Sequence, residues 1–215
     1  VVITDATQIP YGAFENCSSI TSITIPDSVT SISSSAFEDC SGLISITIPD
    51  SVTSIGNSAF RGCTGLTSIT LPFVGSSRTA SGTYDAVFGY IFGYTNYSNT
   101  SGTTFQFTGL SKYYYYIPSS LNTVIITDVT KIPHCAFYNC SELTSISIPD
   151  SVESIGEKAF YNCSRLAKIF YRGSEQQKNN ISISSSYNSS LNNATWYYDS
   201  CISTCHGLTT NSTNV

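Results

Sequence analysis

A short unit repeated at a fixed step limits most strongly what this chain can fold into. Cys17, Cys40 and Cys63 are evenly spaced at a step of 23, and Cys140 and Cys163 keep the same step. Phe14, Phe37 and Phe60 share it, as do Phe137 and Phe160, and each Phe follows an Ala. The best-preserved units, LISITIPDSVTSIGNSAFRGC (Leu43 to Cys63) and LTSISIPDSVESIGEKAFYNC (Leu143 to Cys163), reduce to L-x-x-I-x-I-P-D-S-V-x-x-I-x-x-x-A-F-x-x-C. Leu43, Ile46 and Ile48 have the spacing of a short extended segment with its apolar side turned inward, and Pro49-Asp50-Ser51 ends it with turn chemistry. Val52, Ile55, Ala59 and Phe60 suit a loose turn or a short helical piece that returns to the next strand. A unit this short cannot bury its own apolar side. Copies stacked at a strand spacing of about 4.8 Å bury a continuous ladder of Leu, Ile, Val and Phe, so a parallel-strand solenoid is predicted.

The period breaks between Cys63 and Cys140, which stand three periods plus eight positions apart. The interval is rich in Tyr, Phe, Gly and Thr, as in TYDAVFGYIFGYTNYSNTSGTTFQF and KYYYYIPSSL. Repeats are therefore expected over 1–72 and 121–171, with 73–120 an elaborated repeat inside the same solenoid. A terminal cap covering the open end is expected over 172–199, anchored by Trp196, followed by a loosely ordered tail over 200–215. A longer similarity lies above the short one: Val1 to Leu43 aligns with Val124 to Leu166 at an offset of 123, with 27 identities in 43 positions. The chain opens on Val1-Val2-Ile3-Thr4, contains no Met, and is expected to be a piece of a larger protein that repeats a 123-residue superunit.

Composition narrows the function. Only 11% of residues are charged, and nine Lys and Arg are scattered through a chain of net charge −5, which argues against neutralising the phosphates of nucleic acid. Apolar runs such as Val124-Ile125-Ile126 fall far short of the roughly 18 residues of a membrane span.

At ITIPDSVTSIGNSAFRGCTGL (Ile46 to Leu66) the chain resembles the BspA-like leucine-rich repeats of bacterial and protist surface proteins, over about 1–72 and 121–171. The resemblance implies a right-handed, horseshoe-like solenoid of the α/β class. Its parallel β-sheet lies on the concave face, and the rest is mostly β and loop with short helical turns. It further implies display outside the cell and adhesion to host proteins or other cells. The family pattern carries no catalytic residues to transfer.

Several residues invite chemistry. Cys17, Cys40, Cys63, Cys140 and Cys163 share one repeat position and are expected as a buried thiol ladder, because parallel Cβ vectors disfavour bridging. Cys201 and Cys205 can pair in an exported protein or stay reduced, and with His206 they offer only three ligands for zinc. His134-Cys135 is expected to be local packing, since adjacent side chains seldom face each other as a catalytic pair does. Asp27, Asp50 and Asp150 recur after Pro and are expected to cap turns. Sequons at Asn16, Asn139 and Asn162 look like by-products of the repeat; others occur at Asn96, Asn99, Asn188 and Asn193.

The aromatic elaboration holds the candidate ligand-binding residues: Tyr84, Tyr90, Tyr94, Tyr97, Tyr113, Tyr114, Tyr115 and Tyr116. Tyrosine joins a large apolar body to a polar tip, which suits protein surfaces and sugar stacking. About half of the rings are expected inside, with Phe88, Ile91 and Phe92 filling an A-F-type core position. The expected function is non-enzymatic binding of an extracellular protein or glycan by a monomer, at the cell surface or secreted, with no cofactor or metal. The alternatives are a structural spacer, or targeting repeats of a larger surface protein that carries an enzyme domain elsewhere.

Overall fold

The computed structural model describes residues 1–82, 84–95, 103–107, 114–185 and 187–199. The first three coils each contribute a short and a longer strand: Gln8–Ile9 (β1) and Ser22–Thr24 (β2), Ser31–Ile32 (β3) and Ser45–Thr47 (β4), Ser54–Ile55 (β5) and Ser68–Leu71 (β6). The elaborated coil follows with a 3-10 helix, Phe88–Phe92, and strands Tyr94–Thr95 (β7), Thr103–Phe107 (β8) and Tyr114–Pro118 (β9). Regular coils resume with Thr123–Ile126 (β10), Lys131–Ile132 (β11), Ser145–Ile148 (β12), Ser154–Ile155 (β13) and Lys168–Tyr171 (β14). The described chain ends with Glu175–Asn179 (α1), Ser182–Ile183 (β15), Ser189–Asn193 (α2) and Thr195–Tyr198 (β16). The protein is a parallel-sheet solenoid of about seven turns, made mostly of strand and loop.

One seven-stranded sheet runs in the order β2, β4, β6, β10, β12, β14, β16, and every neighbouring pair is parallel. In β4 only the central Ile46 is buried, while Ser45 and Thr47 face out. The unit's apolar positions, Leu43, Ile46, Ile48, Val52, Ile55, Ala59, Phe60 and Cys63, are all buried. The I-P-D-S-V corner closes by a backbone bond, as in Val52 N–H to the Pro49 carbonyl at 3.1 Å. The Ser of I-P-D-S ties it to the previous coil: Ser51 Oγ donates to the Val29 carbonyl at 2.8 Å, and Ser151 Oγ to that of Val129 at 2.7 Å. Ser makes these inter-coil bonds, while the carboxylate of Asp50, expected to cap its turn, accepts from the Thr127 hydroxyl.

The return path consists of turns with left-handed residues at two fixed positions. Gly12, Ser35, Ser58, Cys135 and Lys158, which precede each Ala-Phe, all have positive φ. So do Asn16, Asp39, Gly62, Asn139 and Asn162, which precede each ladder Cys. Asn, Asp and Gly tolerate the left-handed region best, so the Asn residues of the repeated sequons answer a backbone requirement. The left-handed residue at the second position donates across the gap, as Asp39 N–H does to the Arg61 carbonyl at 2.7 Å.

Aromatic rings run through the middle as a ladder. Phe14 stacks on Phe37 and Phe37 on Phe60, each at 5.2 Å, and Phe137 stacks on Phe160 at the same distance. The elaborated coil carries the ladder across with two rings: Phe92 lies 6.4 Å from Phe60, Phe88 5.3 Å from Phe92, and Phe137 5.1 Å from Phe88. The backbone follows. Phe60 N–H donates to the Ile91 carbonyl and Phe88 N–H to that of Ala136, both at 2.8 Å, as Phe37 N–H donates to that of Ala59 in a regular coil. The 3-10 helix thus shows Ile91-Phe92 to the coil before it and Val87-Phe88 to the coil after it. In the main sheet, Ser45 pairs with Ser68 one period on, whereas Ser68 pairs with Thr123 at more than twice that step.

The short strands feel the interruption. They form two separate parallel sheets, β1-β3-β5 and β11-β13-β15. In regular coils the residue after the short strand donates backward: Ser33 N–H to the Ile9 carbonyl, Gly56 N–H to that of Ile32, and Gly156 N–H to that of Ile132. In the coil behind the elaboration that residue is Pro133, which has no N–H to donate.

Candidate functional site

The elaborated coil builds its surface on a three-stranded antiparallel sheet, with β9 between β7 and β8. A buried amide holds this sheet to the solenoid. Gln106, fully buried, accepts the Gly89 N–H on Oε1 at 2.5 Å. Its Nε2 donates to the carbonyls of Cys135 at 3.1 Å and Ala136 at 2.8 Å. One side chain thereby joins β8, the 3-10 helix and the next coil. Gly89 is required by close approach, because a Cβ there would sit 2.3 Å from the Cβ of Tyr115.

The structure divides the predicted tyrosines. Tyr115 lies inside at 0% exposure, and its hydroxyl donates to the Tyr84 carbonyl at 2.7 Å, so it cannot meet a ligand. Burial pushes its phenol well above the ordinary range, with the neighbouring Tyr84, Tyr90 and Tyr94 adding to the effect. Tyr84 packs edge-on against Tyr90 at 5.9 Å and Tyr94 at 5.7 Å, and lies 6.1 Å from Tyr115. Tyr84, Tyr90 and Tyr116 are half-buried, while Tyr94 and Tyr114 are exposed at 39% and 37%. Tyr97 and Tyr113 lie outside the described residues.

A second aromatic row lies beyond the predicted segment. Tyr138 stacks on Tyr161 at 5.0 Å, and Tyr161 meets Tyr187 edge-on at 5.7 Å with the Lys158 ammonium 5.0 Å from the Tyr187 ring. Tyr138 packs on the same small cluster of Val87, Tyr115 and Cys135 that Tyr84 and Tyr90 cover, so the two aromatic regions touch. The signal was present in the period: the position after Ala-Phe is Glu15, Glu38 and Arg61 in the first coils but Tyr138 and Tyr161 in the later ones.

The described repeat thiols pack into the ladder. Cys40 Sγ donates to the Phe14 carbonyl at 3.0 Å, Cys63 to that of Phe37 at 3.2 Å, and Cys163 to that of Phe137 at 3.0 Å. Cys17, at the first coil, is half-buried; Cys40, Cys63, Cys140 and Cys163 are buried, and all are free. Burial pushes Cys40 up to about 11 and Cys163 up to about 12, so both stay protonated at neutral pH. His134 and Cys135 do meet, against expectation: Cys135 Sγ lies 3.1 Å from His134 Nε2, with Cys135 in a left-handed conformation. Burial pushes this thiol up to about 11, the opposite of what a nucleophilic thiolate needs. Cys201, Cys205 and His206 lie outside the described residues.

Along the rim, Arg78 stands between Asp50 and Asp128. Its guanidinium donates to the Asp50 carbonyl and to the Asp128 carbonyl and carboxylate, and lies 5.8 Å from the centre of the Phe73 ring. Among the described residues no cluster of three or more His, Cys, Asp or Glu could hold a metal ion. Asn188 is buried rather than displayed. Its Nδ2 donates to the Gly156 carbonyl at 2.9 Å, and its Oδ1 accepts the Phe160 N–H at 3.0 Å, where a further coil would present an Ala carbonyl. Trp196 Nε1 donates to the Leu191 carbonyl at 3.1 Å, and its ring meets Tyr171 edge-on at 6.3 Å. Among the described residues no helix is long and apolar enough to cross a membrane.

Parallel coils repeating an apolar strand and an A-F-x-x-C return define a leucine-rich-repeat protein. This chain belongs to the BspA type leucine rich repeat family, whose model matches residues 2–85 and 89–211 in six copies. Among solved structures it is similar to a leucine rich cell surface protein from Faecalibacterium prausnitzii A2-165, at 32% identity and a TM-score of 0.45, over 76% of this chain and 35% of that one. It is also similar to the T. pallidum leucine rich repeat protein TpLRR, at 22% identity and a TM-score of 0.37, over 79% of this chain and 57% of that one. A leucine-rich repeat protein from Bacteroides ovatus ATCC 8483 is similar at 25% identity and a TM-score of 0.24, over 78% of this chain and 59% of that one. The chain thus spans about a third of the F. prausnitzii protein and under two thirds of the other two. No curated protein matches it.

Proposed function

We propose that the chain is a non-enzymatic binding module, at the cell surface or secreted, that recognises a host or neighbouring-cell protein or glycan through one face of the solenoid. The observation that carries this reading is Tyr114, exposed on the outer side of a small sheet whose inner side is fixed by Gln106 and Tyr115, with Tyr94, the cross-strand partner of Tyr115, exposed on the edge strand. Exposed rings on a rigid support offer contact area at little conformational cost, which is what a recognition surface needs. The location rests on the BspA type of the repeat unit.

The test is a screen of the chain against matrix proteins and glycans, repeated with Tyr94→Ser/Tyr114→Ser. Binding that falls at least tenfold with the melting temperature unchanged supports the reading. Binding that is indifferent to both tyrosines removes the aromatic face from consideration. A second reading, a spacer projecting another domain, is favoured by the sheet's outward rows of Ser22, Thr24, Ser45, Thr47, Ser68 and Thr70. It takes over if the screen is blank.

A further inference from the structure

The break between the two short-strand sheets leaves a cleft. It has a volume of about 280 Å³ and lies between the segment from Ser77 to Ser81 and the coil that carries β11. Such a volume falls just below the range of about 300–1,000 Å³ for drug-sized ligands, about the size for one small ring. Part of its wall is apolar, including Ala80 and Pro133, and part is hydroxyl, including Ser77 and Thr130. Its basic lining is Arg78, Lys131 and His134, with no Asp or Glu among the lining residues, in a chain with 14 acidic and nine basic residues.

The cations differ in what they are committed to. Arg78 is held by acceptors from two coils, and the Asp128 carboxylate offsets its charge. Lys131 forms no ion pair among the described residues, so its charge is the uncompensated one in the cleft. The first coil supplies an internal comparison. At the positions that match Lys131 and His134 at the offset of 123 it carries Gln8 and Tyr11, and Gln8 pairs in β1 as Lys131 does in β11. Basic residues at these two positions occur in the coil that borders the cleft and not in its counterpart.

We infer that this cleft binds an acidic sugar, with Lys131 facing the carboxylate, the hydroxyls of Ser77 and Thr130 meeting ring hydroxyls, and Ala80 and Pro133 meeting the apolar face of the ring. The inference deepens the reading of the chain as a binding module and depends on it. Glucuronic acid and glucose differ at C6 by a carboxylate against a hydroxymethyl group, so they isolate the charge. Inorganic phosphate separates a sugar site from a plain anion site.

The experiment titrates the whole chain and Lys131→Gln with each of the three, followed by NMR. The variant borrows the residue of the first coil at an exposed position, so the fold is retained. Glucuronic acid is expected to bind, glucose roughly fivefold more weakly, and Lys131→Gln to lose about that same factor toward glucuronic acid alone, the scale of one exposed ion pair. Equal affinity in parent and variant, absence of glucuronic acid binding, or phosphate bound as tightly as the sugar acid each overturns the inference. A protein or neutral glycan captured in the wider screen, with Lys131→Gln unaffected, would sink the cleft and leave the module reading standing.

Discussion

The coil from Leu43 to Leu66 and the one that follows it from Ser68 lie side by side in one sheet, yet they are held by different means. The regular coil uses contacts that recur along the solenoid: Phe60 on Phe37, the Cys63 thiol on the Phe37 carbonyl, and Gly56 N–H on the Ile32 carbonyl. The elaborated coil keeps the shared contacts only where it touches its neighbours, through Phe88 and Phe92. Everything it adds rests on single residues: Gln106, Gly89 and Tyr115. A repeated contact can be specified by main chain and period, whereas an inserted one needs a side chain placed for that purpose alone.

The largest effect should come from breaking the shared part. Phe60 is fully buried between Phe37 and Phe92, so Phe60→Ala removes a ring with neighbours on both sides and is expected to cost about 3–5 kcal/mol. Urea denaturation reads it directly, and a variant that melts with the parent would refute the ladder at that coil. Breaking the inserted part should cost less and act locally. Gln106→Ala leaves the Gly89 N–H and two buried carbonyls without their partner, for about 1–3 kcal/mol. Hydrogen exchange should then speed up in the Tyr114–Pro118 strand while the Ser45–Thr47 strand stays protected. Equal acceleration in both strands would mean that the two coils are not held independently.

The regular coils were legible because each apolar position recurs at a fixed step and stacking gives that step one meaning. The run Tyr113 to Tyr116 was not legible in that way. Four identical residues carry no sign of which points inward, and the answer comes only from the pairing of β9 with β8 and β7, which sets Tyr115 in and Tyr114 out. Gln106, a single amide in T-T-F-Q-F, carries no periodic signal at all. Tyr138 and Tyr161 do follow the period, but they lie in coils whose other positions match the regular unit, away from the insertion where the aromatic residues crowd. The meeting of His134 and Cys135 depends on the left-handed backbone at Cys135, in a slot filled elsewhere by Gly, Ser or Lys. Nothing in the residue types at that slot announces the conformation.

The smallest expected effect tests the boundary between the two kinds of coil. Ser33 donates its N–H to the Ile9 carbonyl at 2.9 Å, so Ser33→Pro removes a ladder bond and is expected to cost about 1 kcal/mol or more. Pro133 stands at the same place in its coil, but the elaboration has left the short-strand ladder there, and the last short strand before it, Ser54–Ile55, meets an antiparallel bridge between Ser54 and Ser77. Restoring an N–H by Pro133→Ser should therefore gain no bond, and the change should stay within about 0.5 kcal/mol in paired melts. If Pro133→Ser stabilised the chain by as much as Ser33→Pro destabilises it, the preceding coil would present an acceptor after all. The elaboration would then count as one more regular step in the short-strand ladder, and the contrast between the two coils would reduce to length.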